Sequence, residues 1–320
     1  MKIFLTGATG FLGKYVLDLL IKEKHTVHVL ARSPESLSHI KKIKIVEGDV
    51  TSPETFSGKL KGCDAVIHLA GAVGYGQTFE NCINVNINGT KYLSAEAVAC
   101  GVRRFIHCSS VSVYGRISGV DLYEDAPYRK INDPYGDTKI DAEKALLEMK
   151  ENLDITIFRP TVIYGKGDKM FLPQIAGKIR SGGFKIIGNG ENRITLIHAH
   201  DAARAIIMSL NNTKTYGKIY NLSNTDNLTM NDLAELVAKT IGNEKPLKHL
   251  PFRIAIIAAG VMEFIFPIFG KTPPVTRFAV RILGMQYNYM TDAIRKDLKF
   301  KPEIDIRKGI VEALKSEEQH

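Results

Sequence analysis

The sequence predicts a doubly wound parallel α/β sheet carrying a smaller, discontinuous second lobe. Three observations lead there. Short apolar runs alternate with amphipathic helical patterns through the first half of the chain. Those runs are continuously apolar, as expected of strands covered on both faces. After Pro160 the alternation changes rhythm, which marks the start of a second lobe.

The strands are expected at residues 2–6, 26–30, 43–47, 64–69, 103–109 and 154–159, each bounded by turn residues. Helical patterns lie near 11–23, 80–100 and 135–151. Two shorter helices open with Ser33-Pro34 and Ser52-Pro53, where serine can cap and proline suits the first helical position. Beyond Pro160 a helical stretch near 170–181 precedes the Gly188-Asn189-Gly190 turn and a strand at 193–198. A helix near 200–210 and a strand at 218–222 return to the sheet. Thr229 with Asp232 resembles a capping box before a helix ending at Gly242. The larger, sheet-bearing domain is therefore expected to comprise 1–160 plus about 191–223. The second lobe takes about 161–190 plus 224–320.

Residues 251–269 are strongly apolar, but Glu263 and Pro267 interrupt the uninterrupted run of about 20 residues that a bilayer span needs. The leading expectation is a helix buried in the second lobe. The alternatives are an apolar wall of a substrate site or a surface making peripheral membrane contact.

Composition bounds the function. The chain has 320 residues, 44% of them apolar and 24% charged, enough for a sizeable core and without the signature of disorder. The formal charge of +9 is spread along the chain, and no nucleic-acid motif accompanies it. Cys63, Cys82, Cys100 and Cys108 lie far apart with no CxxC spacing, so no metal site is expected and a reducing compartment is. A strand beginning at residue 2 leaves no room for a signal peptide, and the cytoplasm is the expected location.

The first strand runs into Thr6-Gly7-Ala8-Thr9-Gly10-Phe11-Leu12-Gly13 and then a helix. Glycines at 7, 10 and 13 let the turn tighten, let backbone approach a pyrophosphate, and let helix and strand pack closely. The helix N-terminus presents unpaired N–H groups to phosphates. This is the Rossmann-type cradle for a dinucleotide, with Thr9, Phe11 and Leu12 in the same turn. The second strand ends Ala31-Arg32-Ser33, without the carboxylate that holds an NAD ribose. Arg32 could pair with a 2′-phosphate, so NADP(H) is favoured over NAD(H). Asp49 and Val50 close the third strand near the adenine, and Leu69, Ala70 and Gly71 follow the fourth near the ribose.

TGATGFLG (6–13), HLAG (68–71), Asn86-Ile87-Asn88-Gly89-Thr90, SSVSVYG (109–115), Tyr135-x-x-x-Lys139 and RPTVIYG (159–165) occur in that order. The joint pattern resembles the extended short-chain dehydrogenase/reductase family, within it the epimerase/dehydratase and hydroxysteroid-dehydrogenase-like enzymes. The resemblance implies that Tyr135 is the acid/base, that Lys139 also holds the nicotinamide ribose and that Ser110 polarises the substrate oxygen. Ser109 is the neighbour most easily confused with Ser110. Asn86 resembles the asparagine supporting the active-site water network or cofactor, and Pro160 falls in the cofactor-side RPTVIYG stretch. A homodimer through helices near 80–100 and 135–151 is implied as well. Tyr135 and Lys139, four apart, share one helix face. An ammonium beside a phenol lowers its pKa from about 10 and makes it a workable acid/base. His68, His198 and Asp201 read as structural.

Family dehydratases carry an Asp-Glu pair where this chain has Val111 and Ser112, so sugar dehydration is not expected. The diphosphate-binding arginines of nucleotide-sugar enzymes have uncertain counterparts in Arg193, Arg277 and Arg281. The apolar 251–269 run followed by Lys-Thr-Pro-Pro (271–274) is more similar to hydroxysteroid-dehydrogenase-like and flavonol-reductase-like relatives. The expected function is hydride transfer between NAD(P)(H) and an apolar secondary alcohol or ketone, a small-molecule substrate. The alternatives are a nucleotide-sugar epimerase using bound NAD, and a non-catalytic cofactor-binding sensor.

Overall fold

The computed structural model describes residues 1–317 apart from Tyr75, Arg116, Glu244 and Thr272. The chain runs β1 (2–6), α1 (11–22), β2 (26–31), β3 (43–47), β4 (65–68), α2 (79–82), α3 (89–99), β5 (104–108), β6 (121–122), α4 (134–147), β7 (154–160) and β8 (162–164). It continues α5 (172–180), β9 (185–187), β10 (193–194), β11 (196–198), α6 (199–208), β12 (218–222), β13 (228–229), α7 (230–240), β14 (248–250), α8 (252–265), α9 (277–284), β15 (288–289), α10 (292–298) and α11 (306–317).

Seven strands form one sheet in the order β12-β7-β5-β4-β1-β2-β3, and every pairing in it is parallel. The doubly wound fold expected from the sequence is present. Ile3, Phe4 and Leu5 of β1 are buried on both faces, which is why the strand reads as an unbroken apolar run. One face packs against α1 and α6, the other against α3 and α4. Helix α1 buries Leu12, Val16 and Leu20 at a spacing of four, beside Gly13 and Leu17. The strand order reverses between β1 and β4, leaving a crevice at their carboxyl ends where ligands of this architecture bind.

A second apolar cluster joins α5, α7 and α11 with β10 and β13. Helix α7 opens with the Thr229–Asp232 capping box, and Gly242 just beyond its end has φ +68°.

Several expectations are corrected. The helix near 80–100 is three segments, with a π turn at 83–88 between α2 and α3. The 193–198 strand divides into β10, antiparallel to β13, and β11, parallel to β8. The segments opening at Ser33 and Ser52 are single 3-10 turns, and neither serine caps through its side chain. The 251–269 helix is not buried all round. Ala255 and Ala259 pack on Ile187 and Val280, whereas Ile254, Ile257, Val261, Phe264 and Ile265 face outward. Among the described residues no helix is long and apolar enough to cross a membrane. Thr272 of the 271–274 run lies outside the described residues.

Candidate active site

The glycine turn sits at the mouth of the β1/β4 crevice. Gly7 has φ +74°, and a Cβ there would lie 2.6 Å from the backbone of Leu69 and Ala70. Gly10 donates its N–H to the Gly7 carbonyl at 3.0 Å and caps α1 without a side chain, so the first helical N–H groups stay open. A Cβ at Gly13 would meet the backbone of Gly7 and Ala8, so only glycine lets α1 approach β1 this closely. Thr9 is exposed at the turn, Leu12 is buried and Phe11 packs edge-on against Tyr15. Tyr15 donates to the Lys166 carbonyl at 2.9 Å, pinning the loop after β8 to the cradle. These features fit the diphosphate of a dinucleotide: small residues where a side chain would block it, and open N–H groups at a helix N-terminus.

Arg32 projects from the end of β2 with 79% of its side chain exposed, and its Nε lies 3.8 Å from Asp49. Asp49 is itself held by the N–H and hydroxyl of Thr51, each at 2.9 Å. Val50 is buried against Gly89, where α3 begins. Leu69, Ala70 and Gly71 lead out of β4 beside the cradle, and Pro160 ends β7, opposite Leu222.

The Asn86 side chain is fully engaged. It accepts from the Ala72 N–H at 2.8 Å and donates to the Thr138 hydroxyl at 3.0 Å, so it ties the β4 loop to α4. A Cβ on Gly71 would sit 3.3 Å from Asn86 Oδ1 and 3.4 Å from Lys139 Nζ. Gly71, Asn86 and Lys139 therefore converge on one point of the crevice.

Helix α4 starts with Asp133 as its cap, accepting from the Gly136 N–H at 3.0 Å, and with Pro134 in the first turn. The next residue is Tyr135, half-buried, whose phenol interacts with the Ser110 side chain. Ser110 caps the 3-10 turn 111–114, accepting from the Ser112 N–H at 3.1 Å. A Cβ on Gly136 would lie 3.0 Å from the Ser112 carbonyl, so the α4 N-terminus rests on this turn. The adjacent Ser109 hydroxyl is buried without a hydrogen bond. Of the two serines, Ser110 is the one that meets Tyr135.

Burial pushes the Tyr135 phenol well above its ordinary pKa, with only the Ser110 interaction opposing. Lys139 is buried one turn on, and desolvation lowers its pKa. Its ammonium donates to the Cys108 carbonyl at 2.8 Å. The expected depression of the tyrosine by the lysine is thus not what this structure displays; the phenol stays protonated.

His68 bonds Thr6 at 2.7 Å and Thr90 at 3.0 Å, and burial lowers its pKa to about 3. His198 accepts from the His200 N–H at the start of α6, and Asp201 holds Arg204 and the N–H groups of Glu303 and Ile304. Arg193 donates to the Asn227 carbonyl and Arg277 to Glu263. The sequence reading missed Thr138, which anchors Asn86, and Tyr114, whose hydroxyl lies between Arg159 and Asn221 at 2.7 Å from each. Tyr114 stood in the quoted SSVSVYG stretch, but its role depends on the distant Arg159 and Asn221.

The profile of the NAD dependent epimerase/dehydratase family matches residues 3–223. The chain belongs to this family. It is an NAD(P)-dependent enzyme of the extended short-chain dehydrogenase/reductase type, as the ordered motifs implied. The chain is 27% identical to a 2-alkyl-3-oxoalkanoate reductase of Stenotrophomonas maltophilia over 97% of both chains. It is 25% identical to a 3-beta-hydroxysteroid dehydrogenase of Mycolicibacterium neoaurum over 98% of this chain and 90% of that one. The crystal structure of gox2253 superposes with a TM-score of 0.81 at 26% identity, covering 99% and 98% of the two chains. UDP-glucuronic acid 4-epimerase from Bacillus cereus in complex with NAD shares the fold at a TM-score of 0.78 and 21% identity, covering 100% of this chain and 99% of that one.

Proposed function

We propose that this family member reduces an apolar ketone to a secondary alcohol with NADPH, or runs the reverse reaction. The observation that carries the reading is the meeting of Tyr135 with Ser110 one turn from Lys139, whose ammonium lies close to Gly71. When bound, the nicotinamide supplies the hydride that adds to the carbonyl carbon. Ser110 holds the carbonyl oxygen, and Tyr135 gives up the proton that oxygen needs. A phenol kept protonated by burial suits that acid role. Lys139 holds the ribose and, once its ammonium faces the phenolate, stabilises it. Gly7, Thr9, Gly10, Phe11, Leu12 and Gly13 would hold the diphosphate; Asp49, Val50, Leu69, Ala70 and Pro160 would line the remaining cofactor groove. Asn86 orders the loop on which Gly71 and Ala72 sit.

The preference for NADP(H) rests on the exposed Arg32 and the absence of a carboxylate at the end of β2. Segments 161–190 and 224–320 form the substrate lobe in this reading. Its apolar character, and the commitment of Arg277 to Glu263, favour an apolar substrate over a sugar diphosphate. A homodimer through α2–α3 and α4 belongs to the same proposal, with exposed Phe79, Ile83 and Tyr92 supplying apolar contact. The free cysteines suit a cytoplasmic location.

The test is to identify the nucleotide carried by purified protein, then titrate the stripped protein with NADPH and NADH. Exchangeable cofactor with an NADPH preference that falls at least tenfold in Arg32→Ala supports the proposal. Tightly retained NAD that does not exchange points instead to internal hydride recycling, as in an epimerase.

A further inference from the structure

The second lobe carries an apolar surface that the chemistry above does not use. On α8, Ile254, Ile257, Val261, Phe264 and Ile265 recur at helical spacing on one side, opposite the buried Ala255 and Ala259. The 3-10 turn that follows extends the stripe with Ile268 and Phe269. Exposure reaches 67% at Ile257, 76% at Phe264 and 71% at Phe269. Isolated exposed apolar residues are ordinary; a contiguous stripe of seven that includes two phenylalanines marks an interaction surface.

We propose that this stripe docks the protein on an anionic lipid surface, the helix lying in the interface plane. Charge selects that occupant. Residues 248–281 contain Lys248, Arg253, Lys271, Arg277 and Arg281 against one carboxylate, Glu263, which is already bonded to Arg277. On the α8 helical wheel Arg253 borders the stripe beside Ile257 and Phe264, and Lys271 follows its end. Two copies pairing symmetrically through this face would bring like-charged rims together, whereas acidic headgroups neutralise them. Fourteen residues of helix span about 21 Å, short of the roughly 30 Å hydrocarbon core, so the geometry suits lying on the surface rather than crossing it.

The inner side of α8, opposite the stripe, is linked to the Ser110 turn through a series of packing contacts. Phe252 at the start of α8 packs where a Cβ on Gly284 would touch it, at the end of α9. From there the chain passes into β15, which pairs with β6, and Tyr289 stacks on Tyr114 with ring centroids 5.9 Å apart. Tyr114 ends the 3-10 turn that Ser110 caps. The docking inference nonetheless stands apart from the redox reading, since neither the stripe nor its basic rim contributes to the cofactor crevice.

The chain contains no tryptophan, so Phe264→Trp places a single reporter on the stripe. Its emission should shift to the blue with vesicles of phosphatidylcholine and phosphatidylglycerol and be quenched by brominated acyl chains. Pure phosphatidylcholine should give at most a tenth of the partitioning, as should anionic vesicles at high salt, where screening shortens to about 3 Å at 1 M. The double variant Ile257→Asp/Phe264→Asp should lose at least tenfold in co-sedimentation while keeping its melting temperature and cofactor binding. Unchanged emission with anionic vesicles overturns the inference. A blue shift that grows with protein concentration without lipid also overturns it and assigns the face to a second copy.

Discussion

At the scale of the residue, the crevice rests on groups held in one protonation state by burial. His68 is fully buried, with its pKa lowered to about 3, and burial likewise lowers that of His107 beside it. Between about pH 6.5 and 3 an unfolded chain binds a proton at the His68 imidazole that the folded chain refuses. Stability from this group is therefore complete above pH 6.5 and lost as the pH falls toward 3, and His107 contributes with the same sign. A depression of this size corresponds to about 5 kcal/mol at His68, at roughly 1.4 kcal/mol per pKa unit. Urea midpoints measured across that range should fall with pH, and the fall should be shallower in His68→Gln, which is also less stable at neutral pH because it loses the Thr6 and Thr90 bonds. At Tyr135 the prediction concerns rate. Tyr135→Phe should lower kcat by roughly a hundred- to ten-thousand-fold, the range expected for losing a positioned proton donor, with cofactor affinity nearly unchanged. A matching loss of cofactor affinity would mean the phenol holds the nucleotide rather than moving a proton.

At the scale of the element, α4 matters most. Its outer turns are tied to the sheet by Glu143, which takes Arg159 Nε at 3.0 Å and Nη2 at 2.6 Å with both side chains buried. Arg159 also donates to Tyr114, and Tyr114 to Asn221 of β12. Glu143→Gln leaves the guanidinium buried without its counter-charge and should cost about 3–5 kcal/mol, read as a lower urea midpoint. Because the strut joins α4 to the turn behind Ser110, the variant's residual folded protein should show reduced kcat with little change in KM. That Tyr135 and Lys139 share one face of α4 was legible because they stand four apart in a helical pattern. The π turn before α3 was not legible. Its residues have the periodicity of an ordinary helix, and what widens the turn is tertiary: Asn86 is pulled between Ala72 and Thr138. The exposure of α8 was likewise hidden, since an apolar run does not say which of its faces finds a partner.

At the scale of the whole molecule, the glycine cradle stands at the carboxyl end of β1 in the parallel sheet, where its residues fit a dinucleotide diphosphate. The first half of the chain was readable because doubly wound sheets bury strands on both faces and must spend glycines at a fixed place. The strands outside the main sheet have only two or three residues each and pair across large sequence separations, such as Asn288 with Asp121, which no local pattern reports. The central claim is net hydride transfer with proton delivery from Tyr135. The most direct measurement is to supply NADPH deuterated at the transferring position with a panel of apolar 3-oxo acids and hydroxysteroid-type ketones, and to follow the label. The account predicts deuterium on the carbinol carbon of the product, release of NADP, and loss of both in Tyr135→Phe. Label retained on a nucleotide that never leaves the protein, with a sugar nucleotide epimerised instead, would contradict it.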